Sequence, residues 1–326
     1  MADFHILALS GGGFRGLYTA TVLKHLEESL GAPLANRFDL TCGTSAGGLL
    51  ALGVASGMRA SELQALFECD GRRIFGARSI VRRVLSKFIV AKHSSTGLRA
   101  VLEERFKEKT LGDLQHRVLI PTVNYSTGKG QFFKTPHTPA FEMDHRQRLV
   151  DVAMATSAAP TYFPLHRIQN EGVFADGGLV GNSPGFFGLH EARQVLQIPA
   201  TTTIRLLAIG TMTLGATLRG SAFLDRGIAL WGSKVFDLVI SAQENAVDSM
   251  LRHILNTNYV RIDDLATPDQ SKDIASLDHV SPGAIDVLVS RGTQAARRAL
   301  GDPAFAPFRS HLAERPTFFH GPNRAV

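Results

Sequence analysis

The chain has 326 residues, 44% of them hydrophobic and 20% charged, with a net charge of +6. That length buries a full core without covalent staples, and the composition excludes a disordered chain or a coiled coil. Two cysteines, Cys42 and Cys69, exclude a disulfide scaffold and a cysteine-cluster zinc site.

Phe4–Leu9 (FHILAL) reads as a short buried strand. Glycines follow, then a helix over Leu17–Leu30, with Leu17, Val22, Leu23, Leu26 and Leu30 at helical spacing. Gly31 and Pro33 stop that helix. Phe38–Cys42 predicts a second strand, then a tight turn at Gly43–Gly48 and a helix to about Ser56. Further strands are predicted over Arg117–Val123, Gly130–Phe133, Gly172–Ala175 and Thr203–Ile209, with a helix over Leu149–Ser157. Beyond Arg226 the pattern is mostly helical, clearest over Gly283–Leu300, and Pro303 to Val326 is a Pro-, Phe- and Arg-rich tail that wraps or frays. The β-α-β-α opening predicts an α/β fold, a parallel sheet covered by helices. No repeat or linker divides the chain, so one domain over 1–326 is expected, with its core in about 4–210, a helical part in about 226–302 and the tail in about 303–326. No basic stretch leads into a long apolar run at the N-terminus, and no run approaches about 18 apolar residues. Neither a signal peptide nor a bilayer span is expected, and the cytoplasm is the default compartment.

The positive charge is concentrated. Gly71 to Leu102 holds no acidic residue, yet carries Arg72, Arg73, Arg78, Arg82, Arg83, Lys87, Lys92 and Arg99. One basic segment on an otherwise slightly acidic chain argues against a DNA- or RNA-coating protein and for a local anionic partner. Val81, Val84, Leu85, Phe88 and Ile89 share one helical face, while Arg82, Arg83 and Lys87 point elsewhere. Arg78, Arg82, Arg83 and Lys87 are therefore candidate contacts for phospholipid heads or nucleotide phosphates, against the simpler reading of a solvated surface helix. Ile228–Ile240, around the sole Trp231, either meets a membrane or packs in the core.

Three motifs carry chemistry. Gly43-Thr44-Ser45-Ala46-Gly47 fits G-x-S-x-G, a sharp strand-to-helix turn that points a serine hydroxyl outward. Chance gives roughly 0.2 such matches in a chain of this composition, and Gly181-Asn182-Ser183-Pro184-Gly185 fits as well. Ser45 is favoured because a strand precedes it and a helix follows, whereas Pro184 removes a backbone donor beside Ser183. Gly11-Gly12-Gly13-Phe14-Arg15-Gly16 lies between a strand and a helix, so its N–H groups can face a negative charge. Gly11, Gly13 and Gly16 also fit the dinucleotide fingerprint, which would make the chain a nucleotide-binding oxidoreductase. That motif needs an acidic residue at the end of the second strand, where this sequence has the Ser45 turn, so an oxyanion hole is the better reading. Asp176-Gly177-Gly178 closes a short strand at a tight turn and offers a base for Ser45. A histidine triad through His190 or His253 would need an elbow after several strands, and Ser45 follows only two.

In this order, Gly-Gly-Gly-x-Arg-Gly, Gly-x-Ser-x-Gly and Asp-Gly-Gly resemble the patatin-like phospholipases. Ala155-Thr-Ser-Ala-Ala-Pro160 with Phe163 is similar to a segment that family carries upstream of its Asp, and the resemblance spans about residues 4–210. It implies a three-layer α/β fold with a central, mostly parallel sheet and helices on both faces. It also implies a metal-free and cofactor-free Ser45–Asp176 dyad, elbow glycines Gly43 and Gly47, and an oxyanion hole from Gly11, Gly12, Gly13 and Arg15. Since an ordinary carboxylate is a poor base for an alcohol, burial must raise the pKa of Asp176. More narrowly, Ile6–Ala20 (ILALSGGGFRGLYTA) resembles the bacterial anti-phage phospholipase effectors of CBASS defence. That implies membrane phospholipid as substrate at the inner membrane surface, and activation by a cyclic dinucleotide, first of all 3′,3′-cyclic GMP-AMP. An unregulated esterase, a catalytically silent lipid-binding module and a homo-oligomer stay open.

Overall fold

The computed structural model describes residues 3–76, 89–212 and 234–324, with the side chains of 234–237 left undescribed. The strands are β1 (Asp3–Leu9), β2 (Leu40–Gly43), β3 (Val118–Asn124), β4 (Lys129–Lys134), β5 (His166–Ile168), β6 (Gly172–Asp176), β7 (Thr203–Ile209) and β8 (Tyr259–Ile262). They form one mixed sheet in the order β5-β6-β3-β2-β1-β7-β8, with β4 also paired to β3. Its centre is parallel: β1 pairs with β2 and β7, β2 with β3, and β7 with β8. The β4, β5 and β6 pairings are antiparallel.

Longer helices cover the sheet: α1 (Gly16–Leu30), α2 (Ala46–Ala55), α3 (Ala60–Ile74), α4 (Thr96–Phe106), α5 (Leu149–Thr156), α6 (Gly185–His190), α7 (Lys234–Leu255) and α8 (Pro282–Gly301). Alternate residues of a strand face opposite sides. Leu7 and Leu9 of β1, with Ile120, Leu207 and Ile209, enter the core packed by α1 to α5 and α8. Phe4, Ile6 and Ala8 enter the second core, with Leu189 of α6 and Leu251 and Leu255 of α7. This is the three-layer arrangement, and it explains why FHILAL is apolar without alternation: both its faces are buried.

The topology also brings two strand ends together. β4 pairs along Leu119–Asn124 and so occupies one edge of β3. The other edge is shared, by β2 at Val118–Leu119 and by antiparallel β6 at Thr122–Asn124. β2 and β6 therefore run toward each other, and their C-terminal ends, Gly43 and Asp176, meet beside the middle of β3.

Most predicted elements match within one or two residues. Two differences are informative. Tyr259–Ile262, inside the region read as mostly helical, is a strand parallel to β7; a four-residue edge strand has too little sequence to show a period of two. The tail wraps rather than frays as far as Arg324. Ala313 donates its N–H to the Asn36 carbonyl, Phe319 its N–H to Pro136, and His311 meets Asp39. Among the described residues, no helix is long and apolar enough to cross a membrane.

Candidate active site

The turn after β2 holds Ser45 at φ 53° and ψ −124°, a strained conformation for a residue with a side chain. Space explains the flanking glycines. A Cβ on Gly43 would lie 2.1 Å from the Gly47 carbonyl oxygen, and one on Gly47 would lie 2.2 Å from that of Leu9. The turn therefore closes onto itself and onto β1 only if both positions lack a side chain. Thr156, at the end of α5, ties the elbow to β3: its Oγ1 accepts the Ser45 N–H at 3.0 Å and donates to the Pro121 carbonyl at 2.7 Å.

Ser45 Oγ donates to Asp176 Oδ2 at 2.7 Å. Asp176 is 2% exposed. Its other oxygen accepts the Gly178 N–H at 2.7 Å. The segment around Thr156 seats this carboxylate, because Ala158 accepts the Asp176 N–H and Thr156 accepts that of Gly177. Burial pushes the Asp176 carboxyl from its ordinary 3.8 up to about 7, against the opposing pull of the Gly178 and Ser45 hydrogen bonds. This is the direction of shift that the Ser–Asp reading calls for.

The glycine loop lies against Ser45. A Cβ on Gly11 would come within 3.0 Å of Ser45 Cβ, one on Gly12 would strike Thr211, and one on Gly13 would strike the Leu277 carbonyl. Gly13 also has φ +58°, so glycine serves there for conformation as well as space. The N–H of Gly11 is not free: it donates to the Asn182 carbonyl at 3.1 Å. Gly11 therefore shapes the loop, while the N–H groups of Gly12 and Gly13 find no acceptor among the described residues. Arg15 is half-buried and donates to the Met212 carbonyl, tying the loop to the chain beyond β7.

A model of the family described as patatin-like phospholipase matches residues 7–185, which hold all three motifs. The chain belongs to the patatin-like phospholipase family. This phospholipase is a hydrolase of lipid esters, and it has close relatives over nearly its whole length. It is 64% identical over 323 residues to a cGAMP-activated phospholipase of Pseudomonas aeruginosa (strain BWHPSA011 / Pa011), covering 99% of this chain and 97% of that one. A cGAMP-activated phospholipase of Vibrio cholerae serotype O1 is 38% identical, covering 89% and 90%. One of Escherichia coli (strain TW11681) is 35% identical, covering 89% and 88%.

Other residues singled out in the sequence lie elsewhere in the phospholipase. His190 and His253 are exposed, and neither is among the hydrogen-bond partners of Ser45 or Asp176. Ser183 is buried, so the second G-x-S-x-G is no outward-pointing elbow. Arg78, Arg82, Arg83 and Lys87 lie outside the described residues, as does Ile228 to Gly232 with Trp231. The rest of the basic segment is partly neutralised. Arg73 pairs with Asp70 and Glu104, Lys92 with Asp278, and Arg99 with Glu103 and Asp151. Its charge excess in the sequence is thus answered by acids on α3, α4, α5 and the loop before α8. No cluster of three or more metal-ligating side chains occurs among the described residues.

Four residues at this site lie outside the three motifs that carry chemistry. Thr156 had only the family segment around it, and Asn182 sat inside the rejected second elbow. Thr211 has no local motif, and neither has Glu244, whose Oε1 accepts a hydrogen of Asn182 Nδ2 at 2.9 Å.

Proposed function

We propose that the chain hydrolyses membrane phospholipid esters with a Ser45–Asp176 dyad, and that a cyclic dinucleotide switches it on in anti-phage defence. The observation that carries the chemistry is the 2.7 Å hydrogen bond from Ser45 Oγ to a buried carboxylate poised near neutral pH. Ser45 Oγ attacks the ester carbonyl carbon as its proton passes to Asp176 Oδ2. The carbonyl oxygen becomes an oxyanion, held by the N–H groups of Gly12 and Gly13 and aided by the positive end of α2, which starts at Ala46. Collapse breaks the ester C–O bond, and Asp176 returns the proton to the leaving alcohol. A water then attacks the acyl carbon as Asp176 takes its proton; the acyl C–Oγ bond breaks, Asp176 passes the proton to Ser45 Oγ, and the fatty acid departs. The sequence consumes ester and water alone, so it calls for no cofactor.

The activator reading rests on the relatives, above all the cGAMP-activated phospholipase at 64% identity over 323 residues. Among cyclic dinucleotides we take 3′,3′-cyclic GMP-AMP first. We assign Arg78, Arg82, Arg83 and Lys87 to an anionic contact, either phospholipid heads at the inner membrane surface or nucleotide phosphates. The test is fatty-acid release from phospholipid vesicles by the purified chain, measured against a panel of cyclic dinucleotides. Low basal release and strong stimulation by 3′,3′-cyclic GMP-AMP is the expected result. Full activity that no cyclic dinucleotide alters would refute the regulated reading and leave an unregulated lipid hydrolase.

A further inference from the structure

Asn182 engages both backbone polar groups of Gly11, the first residue of the glycine loop. Gly11 donates its N–H to the Asn182 carbonyl at 3.1 Å, and Asn182 Nδ2 donates back to the Gly11 carbonyl at 3.0 Å. Thr211 Oγ1 adds a weaker donor to the same carbonyl at 3.2 Å. The second hydrogen of Asn182 Nδ2 goes to Glu244 Oε1 at 2.9 Å. Asn182 is 3% exposed and Glu244 5%.

The orientation of the Asn182 amide follows from its partners. Nδ2 faces two acceptors, a carbonyl and a carboxyl oxygen. Flipping the amide would place Oδ1 against both, leaving Oδ1 and Glu244 Oε1 facing each other without a donor and Gly11 with the weaker Thr211 bond alone. Glu244 therefore acts on the loop through Asn182, although it sits on α7, 62 residues further along the chain. The grip matters because Gly11 packs on Ser45, and the two N–H groups with no protein acceptor belong to the next two residues. A loop free to shift by an ångström would misplace those donors relative to the carbon that Ser45 attacks.

We infer that Asn182 and Glu244 are positioning residues of the hydrolysis: Glu244 orients the Asn182 amide, and that amide fixes Gly11 and with it the oxyanion donors Gly12 and Gly13. The inference rests on the reading of Gly12 and Gly13 as those donors. The α7 helix thereby acts on the hydrolysis through Glu244.

The experiment compares a soluble p-nitrophenyl ester with its thionoester, using the full-length chain with 3′,3′-cyclic GMP-AMP present. Sulfur is a poor hydrogen-bond acceptor, so the thionoester gains little from oxyanion donors. Removing one such donor outright lowers kcat by about 10²- to 10³-fold, so loosening the loop through Glu244→Ala should lower kcat on the oxygen ester by about 10- to 100-fold. KM should stay within about threefold, and the ester-to-thionoester ratio of kcat should fall by the same factor as kcat. Glu244→Gln keeps an acceptor for Asn182 and should recover most of the loss. Unchanged kcat in Glu244→Ala, or equal loss on ester and thionoester, would overturn the inference, as would failure of the glutamine to recover activity. Ser45→Ala in the same assay separates the two levels. Retained hydrolysis there refutes the dyad itself, whereas an inactive Ser45→Ala beside a fully active Glu244→Ala refutes only the positioning role.

Discussion

Replacing Asp176 by Asn separates chemistry from stability at one atom. The amide keeps the shape, its oxygen can still accept the Gly178 N–H, and its nitrogen faces Ser45 Oγ. It cannot take a proton, so turnover should fall by about 10²- to 10⁴-fold. Stability should move the other way. Burial raises the carboxyl from 3.8 to about 7, so the folded state binds this proton more tightly than the unfolded state. The group is neutral to stability below about pH 3.8 and increasingly unfavourable as pH rises through about 7. By linkage the penalty is about 2 kcal/mol at pH 5 and about 4 kcal/mol at pH 8. Asp176→Asn never pays it, so its stability relative to wild type should rise by about 2–3 kcal/mol between pH 5 and pH 8. Urea unfolding at the two pH values, with ester hydrolysis alongside, measures both effects. The acid limb of the wild-type kcat profile should also fall near pH 7. A stability gap that does not change with pH would refute the burial argument, and near-normal turnover would refute the base.

Four further outcomes follow from the same geometry. Ser45→Ala and Ser45→Gly should both abolish hydrolysis, yet the glycine variant should melt as though about 1 kcal/mol more stable, because only it relaxes the φ of 53°; equal melting would mean no strain is stored there. Gly47→Ala drives a methyl to 2.2 Å from the Leu9 carbonyl and should cost about 3 kcal/mol in chemical denaturation, with loss of activity. Thr156→Val keeps the packing but strips both bonds from the Ser45 N–H and the Pro121 carbonyl; about 1–3 kcal/mol of stability should be lost, with a clear drop in kcat on a soluble ester. Neutralising Arg78, Arg82, Arg83 and Lys87 together should weaken binding to anionic vesicles by about 1 kcal/mol per charge at low salt if they face lipid. If they face the nucleotide, the soluble assay should lose its response to the activator; wild-type behaviour in both assays would make the segment a solvated surface.

What the sequence determined by itself is local. The turn at Gly43–Gly47 is written in five consecutive residues, because strand, tight bend and helix are each short-range events whose steric demands fall on the residues that make them. The glycine loop between β1 and α1 is legible for the same reason, and so is Asp176 at the end of its strand. Which charge state Asp176 holds was decided only by the fold: the shift to about 7 comes from burial by distant segments, and no motif encodes desolvation. That β2 and β6 meet depends on both lying along one edge of β3, which brings together strand ends more than a hundred residues apart in the chain. Asn182 shows the limit most clearly. Its five-residue pattern matched a nucleophile elbow, but its neighbours in space, Gly11 and Glu244, lie 171 and 62 residues away and turn it into a clamp. A hydrogen bond needs only that donor and acceptor arrive together, and for residues so far apart in the chain that arrival belongs to the tertiary structure.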